Sequence, residues 1–207
     1  MLRESVEGLS LRVEPMTLRT SLKSTCVGVA IALIANAIGA EEPAVPVGLQ
    51  VELTAKIAGY DRNYAPRAGA RAKVFIVSKP GDAESTKVAN QARAAFGGLA
   101  EIGGVAHEEI AMSFAGAKGL ADEVTKQKPA LIYISSGLSS DVAAIADALN
   151  GKDVVTIAAI AGDVSKGAVL GFDLVSGKPK LLVHLTQAKK QNAAFKAEAL
   201  KLMKVFE

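Results

Sequence analysis

Two short polar segments, Asp61-Arg62-Asn63 and Ser135-Ser136-Gly137, hold the side chains best placed for specific chemistry in this 207-residue sequence. The first sets an acid, a fixed cation and an amide directly after an apolar-periodic stretch, a composition suited to gripping a polar partner. It also admits a plain structural reading: Asp61 can pair with Arg62 or Arg67, and Asn63 can end a helix in the left-handed conformation. The second segment follows the apolar run Ala130 to Ile134, and Ser78 and Asp163 come at the ends of two similar runs. Together they offer hydroxyls and a carboxylate beyond the carboxyl ends of strands, where open α/β sheets keep their ligand crevice. Ser139 and Ser140 add a helix start, whose free N-H groups attract anions. Caps and turns of this topology call for the same residues whether or not anything binds.

Other chemistry is excluded one motif at a time. Gly162 to Gly167, GDVSKG, has the outer spacing of a phosphate-binding loop, but Ala168 and Val169 stand where Lys and Ser or Thr are required, so it reads as a turn between strands. No glycines spell GxGxxG, and no serine sits in G-x-S-x-G. His107 with Glu108 and Glu109 offers three cation ligands on one segment, whereas metal sites gather theirs from several elements; polar side chains facing solvent are the simpler reading. His184, beside apolar residues at a strand end, reads as a hydrogen-bonded structural histidine. The residues imply no catalytic set, no metal site and no cofactor.

Composition narrows the class further. The formal charge is only +3, with Lys and Arg interspersed among Asp and Glu, so no nucleic-acid footprint emerges. Tryptophan is absent and aromatics make up 4%, which leaves little for a stacking platform. Lys23 to Ala40, KSTCVGVAIALIANAIGA, has the form of a secretory signal: a basic flank, an apolar core from Val27 to Ile34, and small-residue cleavage sites ending at Ala37 or Ala40. The apolar run is shorter than the roughly 20 residues a membrane-spanning helix needs, and Glu41, Glu42 and Pro43 follow it. Acidic Glu4, Glu7 and Glu14 do not suit a signal, so Met16 is a candidate start. Residues 1–40 are thus read as an extension and cleaved signal, and the mature chain as working outside the cytoplasm, with no insertion in the membrane. Cys26, the single cysteine, leaves with the signal, and with it any disulfide or thiol chemistry.

The elements that must position the polar segments follow from periodicity. Val47 to Tyr60 predicts an amphipathic helix with Leu49, Leu53, Ile57 and Tyr60 on its apolar stripe, broken by the polar stretch Asp61 to Gly69. Ala72 to Ser78, Ala130 to Ile134 and Val154 to Ile160 read as buried strands, with a weaker one near Ile110. Helices are expected over Ser85 to Phe96, Lys118 to Lys128 and from Ser139 or Ser140 to about Leu149. Ala168 to Val175 and Lys180 to Leu185, separated by Ser176-Gly177-Lys178-Pro179, predict an antiparallel hairpin. A last helix over Gln191 to Phe206 would place Phe195, Ala199, Leu202, Met203 and Phe206 on the sheet, with Lys189, Lys190, Lys196, Lys201 and Lys204 on a solvated face. Strands alternating with helices predict an α/β three-layer sandwich, with a mostly parallel sheet, helices on both faces, and a C-terminal antiparallel hairpin plus helix, all in one domain over residues 47–207.

With these elements in place, three segments resemble the YfiR/HmsC-like family (YfiR domain, DUF4154) of secreted bacterial α/β proteins. They are Gly167-Ala168-Val169-Leu170-Gly171-Phe172, Gly177-Lys178-Pro179-Lys180-Leu181-Leu182-Val183, and the stretch Phe195 to Val205, which is similar to a family helix of the type F-x-x-x-L-L-K-L-A. Tyr60-Asp61-Arg62-Asn63 is similar to a segment carried by one subgroup, and the similarity extends from about Val47. His184 departs from the family's more usual Asn, and disulfides found in some relatives have no counterpart here. The resemblance implies a periplasmic, non-enzymatic protein that binds the periplasmic part of an inner-membrane diguanylate cyclase and restrains it, so governing cyclic-di-GMP output and biofilm formation. A homodimer through exposed helix faces is a further expectation. A small-ligand-binding protein that uses the strand-end crevice is the alternative.

Overall fold

The computed structural model describes residues 41–207; the expected signal and the candidate start lie outside them. From Val47 onward the chain forms seven strands and seven short helices in βα alternation. They are α1 (Val47–Ala58), α2 (Tyr64–Ala68), β1 (Ala72–Ser78), α3 (Ala83–Gly97), β2 (His107–Ser113), α4 (Ala117–Gln127), β3 (Leu131–Ile134), α5 (Val142–Ala148) and β4 (Val155–Ala158). After a 3-10 turn, Ala161–Lys166, come β5 (Leu170–Val175), β6 (Lys178–His184), α6 (Leu185–Lys190), α7 (Ala197–Leu200) and β7 (Met203–Phe206).

All strands lie in one sheet of order β2-β1-β3-β4-β5-β6-β7. The first five are mutually parallel, β6 runs antiparallel to β5, and β7 runs parallel to β6. Strands buried on both faces need continuous apolar runs rather than alternation, and AKVFIVS and LIYI supply them. The period of two then sorts the side chains into two cores. Val74, Ile76, Leu131 and Tyr133 face Val51, Ile57, Val88 and Phe96 of α1 and α3. Phe75, Val77, Ile132 and Ile134 face Leu120, Val124, Val142 and Ile145 of α4 and α5. The three-layer sandwich with a mostly parallel sheet is therefore the fold, and the hairpin turns at Ser176-Gly177, both with positive φ.

Four expectations need correction. In α1 the fully buried face is Val47, Gln50, Val51, Thr54, Ile57 and Ala58; Leu49 and Leu53 are half-buried at its flank and Tyr60 is exposed. The stripe is displaced because Gln50 and Thr54, polar in sequence, find internal partners: Thr54 donates to the Gln50 carbonyl, and Gln50 reaches Val45, Ala159 and Tyr133. The polar stretch after α1 is not loop throughout, since α2 forms within it. α5 begins at Val142, and neither Ser139 nor Ser140 caps it; Ser139 instead bonds Asp163, and Ser140 bonds Asp141.

The last expected helix, Gln191 to Phe206, is the largest departure. The chain turns at Asn192, which takes a left-handed φ of 57°, makes only one turn of helix in α7, and finishes as strand β7. Met203 is buried and its neighbour Leu202 exposed, a period of two where a helix would have buried both. The free edge of β6 supplies the ladder partners that a helix would have satisfied internally. The five C-terminal lysines consequently spread over α6, α7's approach and β7 and form no single helix face.

Candidate functional site

The chain order reverses between β1 and β3: from β1 it passes to β2 on one side, then returns to β3 on the other. This is the switch point at which open α/β sheets leave a crevice. Here the gap is stitched. Ser85, in the first turn of α3, accepts from the Lys79 N-H at 2.8 Å and shares a hydrogen bond of 2.7 Å with the Ser135 hydroxyl. The Ser135 N-H donates to the Val77 carbonyl at 3.1 Å, so the carboxyl ends of β1 and β3 close on each other. Ser85 is held in turn by Asp82, the N-cap of α3, which accepts from the Ser85 N-H.

One strand further along, the loop after β3 meets the 3-10 turn after β4. Asp163 is 1% exposed, accepts from the Ser139 hydroxyl at 2.9 Å, and pairs with Lys166 at 3.0 Å. Lys166 also donates to the Ser139 carbonyl, so the three residues Asp163, Ser139 and Lys166 are tied to one another in a closed ring. Gly137 takes a φ of 82°, which lets the loop turn from β3 towards that ring. Ser136 is fully buried, and its hydroxyl has no hydrogen-bond partner among the described residues. The structure thus brings Ser135, Ser136, Gly137 and Asp163 to one edge of the sheet, but as internal joints. Two concavities flank them. One of about 500 Å³ lies between the tether before α1 and Glu84, Lys87, Val88 and Gln91 of α3. The other, of about 280 Å³, is lined by Val77, Met112, Phe114, Leu120 and Glu123. None of the four sequence-derived residues lines either.

Asp61, Arg62 and Asn63 lie elsewhere, at the end of the sheet where β4 begins. The Asp61 carboxylate is buried and accepts from the N-H of Asn63 at 3.1 Å, the N-H of Ala194 at 2.8 Å and the Arg67 guanidinium at 2.8 Å. Arg67 also donates to Asp153 and to the Asn192 carbonyl, and Asn63 donates to the Asn192 carbonyl and side chain. Arg62 is exposed, with its backbone N-H on the Ala194 carbonyl. Sequence reasoning held Arg67 as one partner for Asp61 but missed Asp153 and Asn192. The available signal was Asn192 itself, a residue type that tolerates the left-handed turn ending α6. Beside the cluster, Pro66, Arg67, Thr125, Lys128 and Lys152 line a depression of about 410 Å³.

Both histidines are engaged. The His107 ring contacts Glu109 through Nδ1 and the Leu99 carbonyl through Nε2, and His184 accepts the Gln187 N-H as the N-cap of α6. Two tyrosines are shifted by their surroundings: burial raises the Tyr133 and Tyr64 hydroxyls well above the usual phenol range, with Arg67 opposing the shift at Tyr64.

No curated protein matches this sequence. Among solved structures the chain is similar to the ABC domain in complex with L-Trp from Streptococcus pneumonia, with 12% identity over 78% of this chain and 62% of that one and a TM-score of 0.54. It is also similar to a conserved domain protein from Vibrio cholerae, with 16% identity, coverage of 78% and 60%, and a TM-score of 0.51. A third is the ligand-free, open structure of CD0873, a substrate binding protein with adhesive properties from Clostridium difficile, with 13% identity, coverage of 79% and 60%, and a TM-score of 0.53. At such identities these likenesses report the fold, and the chain spans about 60% of the neighbours' length. The family model for YfiR/HmsC-like proteins matches residues 104–204, which run from the turn before β2 into β7 and include the glycine-bounded strand, the hairpin and the closing segment. Over that stretch the chain is similar to YfiR/HmsC-like proteins.

Proposed function

We propose that this protein is a non-enzymatic periplasmic regulator that docks to the periplasmic part of an inner-membrane signalling protein, a diguanylate cyclase being the expected receptor. The observation that carries this reading is the YfiR/HmsC-like match over residues 104–204. The closure of the switch-point crevice supports it. Hydroxyls and a carboxylate already spent on one another at Ser85, Ser135, Ser139 and Asp163 are poor equipment for a ligand and good equipment for a rigid docking block. Among the described residues no helix is long and apolar enough to cross a membrane, so contact with the bilayer would come through the receptor.

The direct test is crosslinking of the tagged full-length protein in cells of its own species, followed by mass spectrometry of the membrane fraction. Recovery of an inner-membrane protein with a cyclase output domain supports the reading; a protein that captures no membrane partner counts against it.

The buried, unpartnered Ser136 hydroxyl favours a second reading, small-ligand binding at the carboxyl edge of the sheet. Thermal shift against a library of small polar and aromatic metabolites separates the two, since a ligand at 100 times its Kd adds about 2.7 kcal/mol. A shift abolished by Ser136→Ala would move the function to this edge.

A further inference from the structure

The depression of about 410 Å³ beside the Asp61 cluster has a floor of buried Val124 and the enclosed Arg67 guanidinium, and a rim that includes Pro66, Lys128, Lys152 and Asp153. Arg67 is committed inward. It stands between Asp61 and Asp153, 2.8 and 2.7 Å away, and the Asp153 Oδ1 also accepts from Asn192. That trio carries one net negative charge, which the lysines around it exceed. Lys128 and Lys152 have no ion-pair partner among the described residues. Nor have Lys189 and Lys190 at the end of α6, where the Lys190 carbonyl accepts the N-H of Gly151, a residue of the same rim, at 2.8 Å. The other acids on these elements are Asp122 and Glu123, held by Lys118 and Lys126, and Asp147, exposed on α5. The balance at the rim is positive. We propose that this depression is a docking site for an acidic segment of a partner protein, which seats a carboxylate between Lys128 and Lys152.

Both lysines are set for such a contact. Lys152 Nζ gives one of its three protons to the Thr125 hydroxyl at 2.9 Å, which fixes the ammonium and leaves two donors free. Lys128 ends α4 with a φ of 50°, and its N-H closes the helix on the Val124 carbonyl. Glycine would make that left-handed turn with less strain, so the ammonium is what lysine adds. A cation there also complements the carbonyl end of α4, but Lys126 already does so, and Lys152 lies on no helix. A carboxylate entering between the two would meet charge-assisted donors already held in place, and its stem would cover Val124 and Pro66. The rim is of exposed residues, which suits a side chain projecting from a docked surface better than a metabolite that must be enclosed on most sides. Near the carboxyl ends of the strands the charges are already matched, Lys87 with Glu84, Lys118 with Asp122 and Lys166 with Asp163, so an acidic partner gains less there. The site deepens the receptor reading and rests on it only for the protein that supplies the segment.

Panning a random dodecapeptide phage library on protein purified from cells expressing the full chain is expected to enrich peptides rich in Asp and Glu. A synthetic copy of the strongest should bind more weakly as salt rises. Lys128→Glu with Lys152→Glu is expected to weaken that peptide by roughly tenfold or more. Lys87→Glu with Lys118→Glu changes the net charge equally at the other end and is expected to leave affinity within about twofold. Lys128→Gly separates recognition from folding: it should weaken the peptide while keeping or raising the melting temperature. Failure to enrich any peptide, enrichment of peptides without acidic residues, or affinity indifferent to positions 128 and 152 overturns the proposal. So does stabilisation by citrate or phosphate that depends on these two lysines with no peptide selected, which would make the depression a site for free oxyanions. In cells, a membrane protein crosslinked equally by the wild type and by the Lys128→Glu, Lys152→Glu variant would leave the receptor reading standing and overturn this one. An acidic peptide that passes every test, beside a protein that captures no membrane partner, would do the reverse.

Discussion

The Asp61 carboxylate takes its three donors from Asn63, Arg67 and Ala194, so a single side chain joins the end of α1 to a segment 133 residues later. Asp61→Ala would leave the Arg67 guanidinium, whose side chain is 1% exposed, short of its enclosed counter-charge. Breaking one partner of a buried pair costs about 3–5 kcal/mol, so denaturant unfolding should report a loss of that size. Arg62→Ala, at an exposed position, is expected to change stability by less than about 0.5 kcal/mol. Any loss of receptor capture by that variant would therefore report a direct contact. Tyr64 gives the opposite kind of prediction. Its hydroxyl is buried with no partner among the described residues, so Tyr64→Phe is expected to keep or raise the melting temperature. The same burial sets a pH dependence. The folded pKa is raised above the unfolded value of about 10, so the folded state holds its phenol protons after the unfolded chain has lost them. Stability is then full below pH 10 and falls as pH rises above it, by up to about 1.4 kcal/mol per pH unit for each tyrosine. Alkaline titration of the melting temperature should show this fall, and Tyr64→Phe should make it shallower.

At the scale of elements, the inner parallel strands β1, β3 and β4 were legible because they are continuous apolar runs bounded by turn residues, as AKVFIVS is by Lys79-Pro80-Gly81, whereas β2, HEEIAMS, gave only a weak signal near Ile110. The hairpin was legible for the same reason. What could not be read was anything decided by distant partners. Gln50 and Thr54 look like the polar side of α1 until Tyr133 and Ala159 are placed beside them. The closing segment carries apolar residues that fit a helical period, and only the vacant edge of β6 selects strand over helix. The candidate site divides along the same line: the sequence placed Ser135 and Asp163 at the carboxyl edge, but their mutual saturation by Ser85, Ser139 and Lys166 depends on loops meeting in space. Gly171 shows how closely those loops fit. A Cβ added there would overlap a Val164 methyl, pressing β5 against the 3-10 turn that carries Asp163. Gly171→Ala is expected to lower stability by about 1–3 kcal/mol, measurable as a shift of the urea midpoint with an unchanged m-value.

For the whole molecule, the connections that matter most are the longest. Gln50 Nε2 reaches the Ala159 carbonyl 109 residues ahead, and Asp61 reaches Ala194. Removing residues 192–207 should therefore loosen both ends of the domain at once. Circular dichroism melting of that truncation is expected to show a broad, non-cooperative transition rather than a domain that has merely lost an edge strand. The same geometry bears on synthesis from one end. A polypeptide that leaves the ribosome with α1 in front has as yet no Ala159, Asn192 or Ala194 to hold it, so Gln50 and Asp61 gain their buried partners only when the segments that carry those partners have followed.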